Sequence, residues 1–196
     1  ANLLTMAAIR HLHGPGEVIV PTLTFIPDAL PENARALDEV LARYAEAGVN
    51  ADLALRVYTT RLLGQDPKLV LHGGGNTSVK TKGTDDLGQE HEVIAVKGSG
   101  ADMADIEPWG LPAVKLEPLR KLRALKALSD ESMVNLQRLN LLDSSAPNPS
   151  VETLLHAFVP HKFVDHTHST AVLALTDRRR CSDAPRSHFR DSGTRA

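Results

Sequence analysis

A mixed α/β domain with a single core is what the sequence predicts, and three observations carry the prediction. Apolar residues recur at helical spacing between Arg35 and Gly64, and two alternating runs flank a polar turn between Ser78 and Val96. The length of 196 residues, with a 42% apolar share, gives room for one ordinary core and hardly for two. The charge is balanced, 22 basic against 24 acidic residues, so no overall field argues for nucleic acid or an anionic membrane. One cysteine, Cys181, excludes an internal disulfide framework and fits a reducing compartment. No apolar run approaches the roughly 20 residues that cross a bilayer, and no secretory leader opens the chain. The expectation is a cytoplasmic protein without membrane or nucleic-acid partners.

Residues 1 to 34 read as an irregular N-terminal extension, because Gly14, Pro15, Gly16, Pro21, Pro27 and Pro31 break any long element. His11 and His13 form a His-x-His pair with no acid motif beside it, and are read as surface residues. From Arg35, Leu37, Val40, Leu41 and Tyr44 make an apolar stripe that Gly48 stops. Asn50 then caps a second helix carrying Leu53, Leu55, Val57, Tyr58 and Leu62, which Gly64 ends. The two form a helical hairpin ahead of the sheet.

Leu69 to Leu71 read as a short buried strand running into His72-Gly73-Gly74-Gly75-Asn76-Thr77-Ser78. Three consecutive glycines are entropically costly unless the backbone needs positive φ or a close approach. Such a turn either cradles an anion with successive N–H groups, aided by Asn76 and Ser78, or is a flexible hairpin turn. Neither a dinucleotide fingerprint nor a P-loop fits the glycine spacing. Ser78 to Lys82 and Val93 to Val96 then form an antiparallel hairpin around the polar turn Gly83 to Gln89. If it pairs in register, Lys97-Gly98-Ser99-Gly100 comes to lie beside the glycine loop, with Lys97 read as solvated.

Ala101 to Glu107 is expected to make a short turn of helix and Leu111 to Leu116 a strand. Glu117 to Leu128 is expected to be a helix with Leu119, Leu122, Leu125 and Leu128 on its buried face. Asp130 to Leu142 should form another helix, followed by the loop Asp143 to Pro149. Past Thr176 the chain has almost no apolar residues, so 177–196 is read as a disordered, arginine-rich tail. A nucleic-acid role for that tail is the weakest of the functional readings.

The chemistry gathers between Asn148 and Thr176. Phe163 and Val164 are strand formers, and a strand carried on to His168 puts His166 and His168 on one face. Two converging imidazoles suit a divalent transition metal, although a His-x-His pair also occurs simply as a surface pair. Ser150 is a credible N-cap that places Glu152 in the first turn of a helix, as the best local third group or as an acid complementing the helix dipole. His156, on the same helical face, and His161 are read as packing or surface residues.

In ordered succession, Gly-Val-Asn-Ala-Asp-Leu-Ala-Leu-Arg-Val-Tyr-Thr-Thr-Arg-Leu-Leu-Gly from Gly48, Gly-Gly-Gly-Asn-Thr-Ser, Val-Lys-Gly-Ser-Gly from Val96, Pro-Ser-Val-Glu-Thr from Pro149 and Asp-His-Thr-His-Ser from Asp165 resemble the class II aldolase/adducin family. The likeness is nearest to the aldolase part of bifunctional rhamnulose-1-phosphate aldolase/alcohol dehydrogenases, over about residues 38 to 176, within a domain bounded at 35 and 176. It implies a three-layer α/β/α sandwich with a largely antiparallel central sheet, incomplete at the C-terminus, and assembly as a homo-oligomer, commonly a tetramer. It implies zinc or another divalent cation on His166 and His168, with Glu152 exchanging protons during cleavage of a ketose 1-phosphate to dihydroxyacetone phosphate and an aldehyde. By the same resemblance Gly75, Asn76, Ser99, Gly100 and Ser150 hold the substrate phosphate.

Two departures qualify the carry-over. Val151 stands where some relatives have a second serine. Family enzymes also take a third zinc histidine from well downstream, where this chain offers only His188 among unmatched neighbours, so the expectation is an incomplete metal site and little turnover. The competing functions are a non-catalytic, adducin-like assembly module and a sugar-phosphate epimerase or dehydratase of the same family.

Overall fold

The computed structural model describes residues 31–176, with side chains from 36 to 174. The expectations for residues 1 to 30 and for 177–196, including His11, His13 and His188, lie outside the described residues. One compact unit, Thr24–Ser169, holds all the elements discussed below except the helix Thr170–Thr176, which belongs to a second unit and is described only as a helix.

Helix α1 spans Pro31–Glu46, starting four residues ahead of Arg35, so the segment read as irregular ends in helix. Gly48 at φ 73° turns the chain out of it, and Gly48 N–H donates to Ala45 O. Helix α2, Ala51–Gly64, begins where expected: the Asn50 side chain accepts from Asp52 N–H at 2.8 Å. Tyr44 and Arg61, one from each helix, both reach the carboxylate of Glu107 and tie the helical hairpin to the loop ahead of the sheet's far strand.

Strands β1 (Asn76–Thr84), β2 (Glu90–Val96), β3 (Ala113–Lys115) and β4 (Phe163–His166) form one antiparallel sheet in the order β3-β2-β1-β4. The β1–β2 hairpin pairs Ser78 with Val96 and Thr84 with Glu90, so both strands are longer than the sequence suggested. On one face Val79 and Ala95 pack against Tyr44, Ala54 and Val57 of the helical hairpin. On the other, Ile94, Val96 and Val114 pack against Leu116 and Leu119 of helix α3 (Leu116–Lys121) and Ala157 of helix α5 (Thr153–Phe158). Helices on both faces of an antiparallel sheet make the three-layer sandwich that was expected.

Five local expectations fail or shorten. Leu69 to Leu71 is a turn: Asp66 O accepts from both Leu69 N–H and Val70 N–H, and Leu71 is exposed. Ala101 to Glu107 is not helical, because Asp102 Oδ1 takes Ala104 N–H and Arg61 claims Ile106 O. The strand placed at Leu111 to Leu116 shrinks to Ala113–Lys115. The helix Glu117 to Leu128 stops at Lys121, tightens over Leu122–Ala124 and turns extended at Leu125, which is 51% exposed. Leucines at a strict spacing of three rotate by about 60° per step around an α-helix, so four of them cannot share one face. Helix α4, Asp130–Leu139, ends three residues before Leu142 because Asn140 O and Leu142 N–H bond to Lys115 and Ala113 beside β3.

Strand β4 is pinned from below. Asp165 points away from His166, toward α2, where Arg56 NH1 meets its Oδ1 at 2.6 Å. Arg56 is 1% exposed and its guanidinium also lies over the Phe163 ring. Removing the carboxylate strands a cation in the core. Asp165→Asn is expected to cost about 3 kcal/mol of unfolding free energy in urea titration, the lower end for a buried pair since Asp165 is half open to water. The double change Arg56→Leu with Asp165→Asn should recover most of it. A loss well under about 1 kcal/mol for Asp165→Asn would mean the pair does not hold β4.

Candidate functional site

β1 leaves the glycine loop at Asn76, and its pleat directs Asn76, Ser78 and Lys80 to the α5 face of the sheet. Antiparallel pairing with β4 sets His166 opposite Asn76. Across from them the chain enters α5 through a tight turn, in which Ser150 O accepts from Thr153 N–H at 3.0 Å and Ser150 Oγ from Glu152 N–H at 3.3 Å. Glu152 therefore occupies the position before α5, not its first turn, and Ser150 closes the preceding turn instead of capping the helix. Freed from the helix end, the Glu152 carboxylate swings to β1 and β4.

There it takes two hydrogen bonds on Oε2: one from the Asn76 amide, and one from His166 Nδ1 at 2.6 Å. Burial pushes the Glu152 carboxyl up. The hydrogen bond and charge of His166, with the Asn76 amide and His156 behind them, win and hold it below the usual range. The His166 and His168 rings stand 4.9 Å apart between centroids at 62°. The sheet ladder stops at His166, so the strand does not carry on to His168; Leu69 O takes His168 N–H at 2.8 Å instead. The convergence of the two rings expected from their spacing survives this change of backbone.

The two glycine loops meet as the hairpin register implied. Lys97, expected to be solvated, is 2% exposed and donates from Nζ to Gly73 O at 3.1 Å and to Ala101 O at 2.6 Å, tying one loop to the other. Burial pulls its pKa down against the opposing charges of Asp102 and Glu152. Gly75, at φ 66°, is a place only glycine suits: a Cβ there would press on Val70 and on His166 O. Gly100, at φ 79°, sits on the exposed rim with Ser99. Ser99 N–H and Gly98 N–H are already committed to Asn148 O and Gly110 O, so the second loop is less donor-rich than its composition suggested. Ser150 N–H bonds to Lys97 O, which brings the Pro-Ser turn against the same loop.

All eight residues singled out from the sequence thus meet at one end of the sheet: Glu152, His166 and His168, with Gly75, Asn76 and Ser150 buried beneath and Ser99 and Gly100 at the rim. As a metal site the donor set fits in part. Two imidazoles converge, but among the described residues no three His, Cys, Asp or Glu side chains are arranged to hold an ion. Sequence reasoning missed Arg56 and Lys97. Arg56 falls between Leu53, Val57 and Thr60 on the inward stripe of α2, and Lys97 continues the buried run Val93 to Val96; both positions announced burial, and only the expectation that charges are solvated concealed it. His156 is a packing residue as expected, 0% exposed, with Nδ1 on Ser78 Oγ at 2.8 Å; His161 is at the surface.

Comparison with known proteins gives a consistent picture. The family model described as the class II aldolase and adducin N-terminal domain matches residues 54–191. An uncharacterised oxidoreductase of Bacillus subtilis (strain 168), YuxG, is 44% identical over 119 residues, which make up 61% of this chain and 17% of that protein. A solved N-terminal class II aldolase domain of a conserved protein from Thermoplasma acidophilum is 41% identical, with a TM-score of 0.63 over 69% of this chain and 63% of that one. This chain spans less than a fifth of the length of YuxG and under two thirds of the solved domain. Among the described residues no helix is long and apolar enough to cross a membrane.

Burial, with the charge of His166 next in size, lowers the His156 pKa from 6.5 to about 4. Across that interval the unfolded chain binds a proton that the folded chain refuses, so stability is full above the unfolded value and is lost as the pH falls toward 4. The loss assigned to this ring is about 3 kcal/mol. In denaturant titrations against pH, His156→Gln should flatten the wild-type slope between these values by about one proton. An unchanged slope would mean the folded protein protonates His156 freely.

Proposed function

The chain belongs to the class II aldolase and adducin family, and from that premise we propose that it is the aldolase portion of a lyase acting on a ketose 1-phosphate of the rhamnulose type. The products are dihydroxyacetone phosphate and an aldehyde. The observation that carries this reading is the Glu152 carboxylate, 2.6 Å from His166 with His168 alongside, between two glycine loops bound together by Lys97. An oxidoreductase name on YuxG belongs to a protein of which the matched segment is a small part.

In the cleavage, the hydroxyl on the far side of the breaking carbon–carbon bond loses its proton and becomes the aldehyde carbonyl. The bond's electron pair passes to the ketone side as an enediolate, which takes up a proton at carbon. His166 and His168 would hold the divalent cation, zinc by family resemblance, and when bound it supplies Lewis-acid stabilisation of the developing negative charge. Glu152 is the proton carrier, held beside the imidazoles by Asn76 and out of bulk water. By family resemblance Gly75, Asn76, Ser99, Gly100 and Ser150 would hold the substrate phosphate, with the buried Lys97 charge behind them. Assembly as a homo-oligomer belongs to the same proposal.

The test is release of dihydroxyacetone phosphate from a panel of ketose 1-phosphates, with metal content measured in parallel. Cleavage should require a bound divalent cation and stop with a chelator, and Glu152→Gln should lower kcat by about 10³. Fully folded protein that binds no metal and cleaves none of the panel would return the chain to a non-catalytic, adducin-like role.

A further inference from the structure

We propose that the cleft at the open end of β1 is an anion site separate from the glycine loops, taking a small phosphate or phosphate monoester between Lys80 and Arg120. It uses residues that have no part in the aldolase reading, and it stands whether or not that reading holds.

The cleft exists because β4 is short. Its pairing with β1 ends where Phe163 faces Val79, with one further bond from Lys80 N–H to Lys162 O at 2.8 Å. Past that point no described strand lies on the side of β1 away from β2, while β2 stays paired as far as Thr84. The opening holds about 400 Å³, within the size range of small-ligand sites. Lys80, Lys82, Arg120 and Lys162 line it against two acids, Asp52 and Glu92. Lys80 follows Asn76 by four residues, roughly 13 Å along the strand, which sets the cleft apart from the loop that feeds β1.

The four cations are not equally neutralised. Asp52 holds Lys162 at 2.8 Å and Glu90 holds Lys82 at 2.6 Å. Arg120 has one long contact, 3.4 Å to Glu92, with both side chains open to water, and such a pair is worth little. Lys80 is 9% exposed, and its Nζ donates to His156 O at 2.8 Å and His161 O at 2.7 Å. The carbonyls satisfy two of its three N–H groups without cancelling its charge. Burial, with the charge of Arg120 next, pulls its pKa down to about 8, and no acid acts against them. A buried ammonium with one N–H to spare, repelled by a guanidinium across an open cleft, is the complement of an anion. No residue of the lining is aromatic, so a nucleobase has nothing to stack on. The excess of cations over acids suits a phosphate dianion, whose oxygens accept from Lys80 on the strand and Arg120 on α3 at once.

The experiment is NMR of the full chain with isotope-labelled lysine, the Lys80 side chain assigned through its backbone, during titration with inorganic phosphate. Sodium chloride at matched ionic strength is titrated in parallel. The Lys80 Cε and Nζ signals should move saturably, half-complete at about 1 mM phosphate, and stay in place with chloride. Arg120→Gln should weaken that response about tenfold, and Arg120→Lys less, because the fork is lost but the charge is kept. Arg120 is half exposed, so neither change threatens the core. Lys97 lies between the glycine loops and reports on them separately. Phosphate that moves Lys97 and leaves Lys80 still overturns the proposal. So does a response of equal size to chloride, which marks screening alone, or one that Arg120→Gln leaves as strong as in the wild type.

Discussion

β1 lies between β2 and β4, and its double pairing is the constraint on which the rest depends. A central strand has no freedom of register, because slipping by one residue would turn Asn76, Ser78 and Lys80 into the α2 layer and Thr77, Val79 and Thr81 into the α5 layer. With the register held, Asn76 stands opposite His166 on one side, while Ser78 stands opposite Val96, one residue short of Lys97, on the other. The first glycine loop, which feeds β1, and the second, which leaves β2, are then neighbours. The site is a consequence of where one strand begins.

An unusual amount of charge and polarity is buried to hold that arrangement. Arg56, Lys97, Lys80 and His156 are all nearly or wholly out of water. Each is matched. Arg56 meets Asp165; Lys97 takes the carbonyls of Gly73 and Ala101; Lys80 takes those of His156 and His161 near the end of α5; His156 meets Ser78. An apolar core would be cheaper per residue, since each ion loses several kcal/mol of hydration on burial. What these groups supply is direction: each bonds to backbone or side chain at one specified place, which apolar contacts do not. Ser78, with His156, and Lys80 line the same face of β1 as Asn76, while Arg56 meets Asp165 on the α2 side, so both layers carry directional bonds.

Local signals in the sequence were legible wherever a single residue type decides the outcome. Asn50 caps α2, Gly48 stops α1, and alternation around the polar turn gives the hairpin, because each rests on contacts only a few residues apart. The grouping of Glu152, His166 and His168 was legible too, through the spacing of the imidazoles and the ordered motifs around them. What stayed hidden depends on partners far along the chain. Arg61 reaching Ile106 O keeps Ala101 to Glu107 from coiling, and β3's need for an edge partner ends α4 early at Asn140. Composition marked Lys97 as a surface residue; only the meeting of two loops 24 residues apart explains its burial. The Glu117 to Leu128 helix failed differently, since its leucine spacing had been given the wrong period.

The state of Glu152 joins these threads. Burial alone would raise its pKa, and the hydrogen bond and charge of His166, with the Asn76 amide and His156, outweigh it by favouring the charged form. At 9% exposure its side chain lies almost out of water, so neighbouring protein groups more than solvent set its state. The Ser150 turn, which sets Glu152 ahead of α5 and aims it inward, is what brings the carboxylate under their influence.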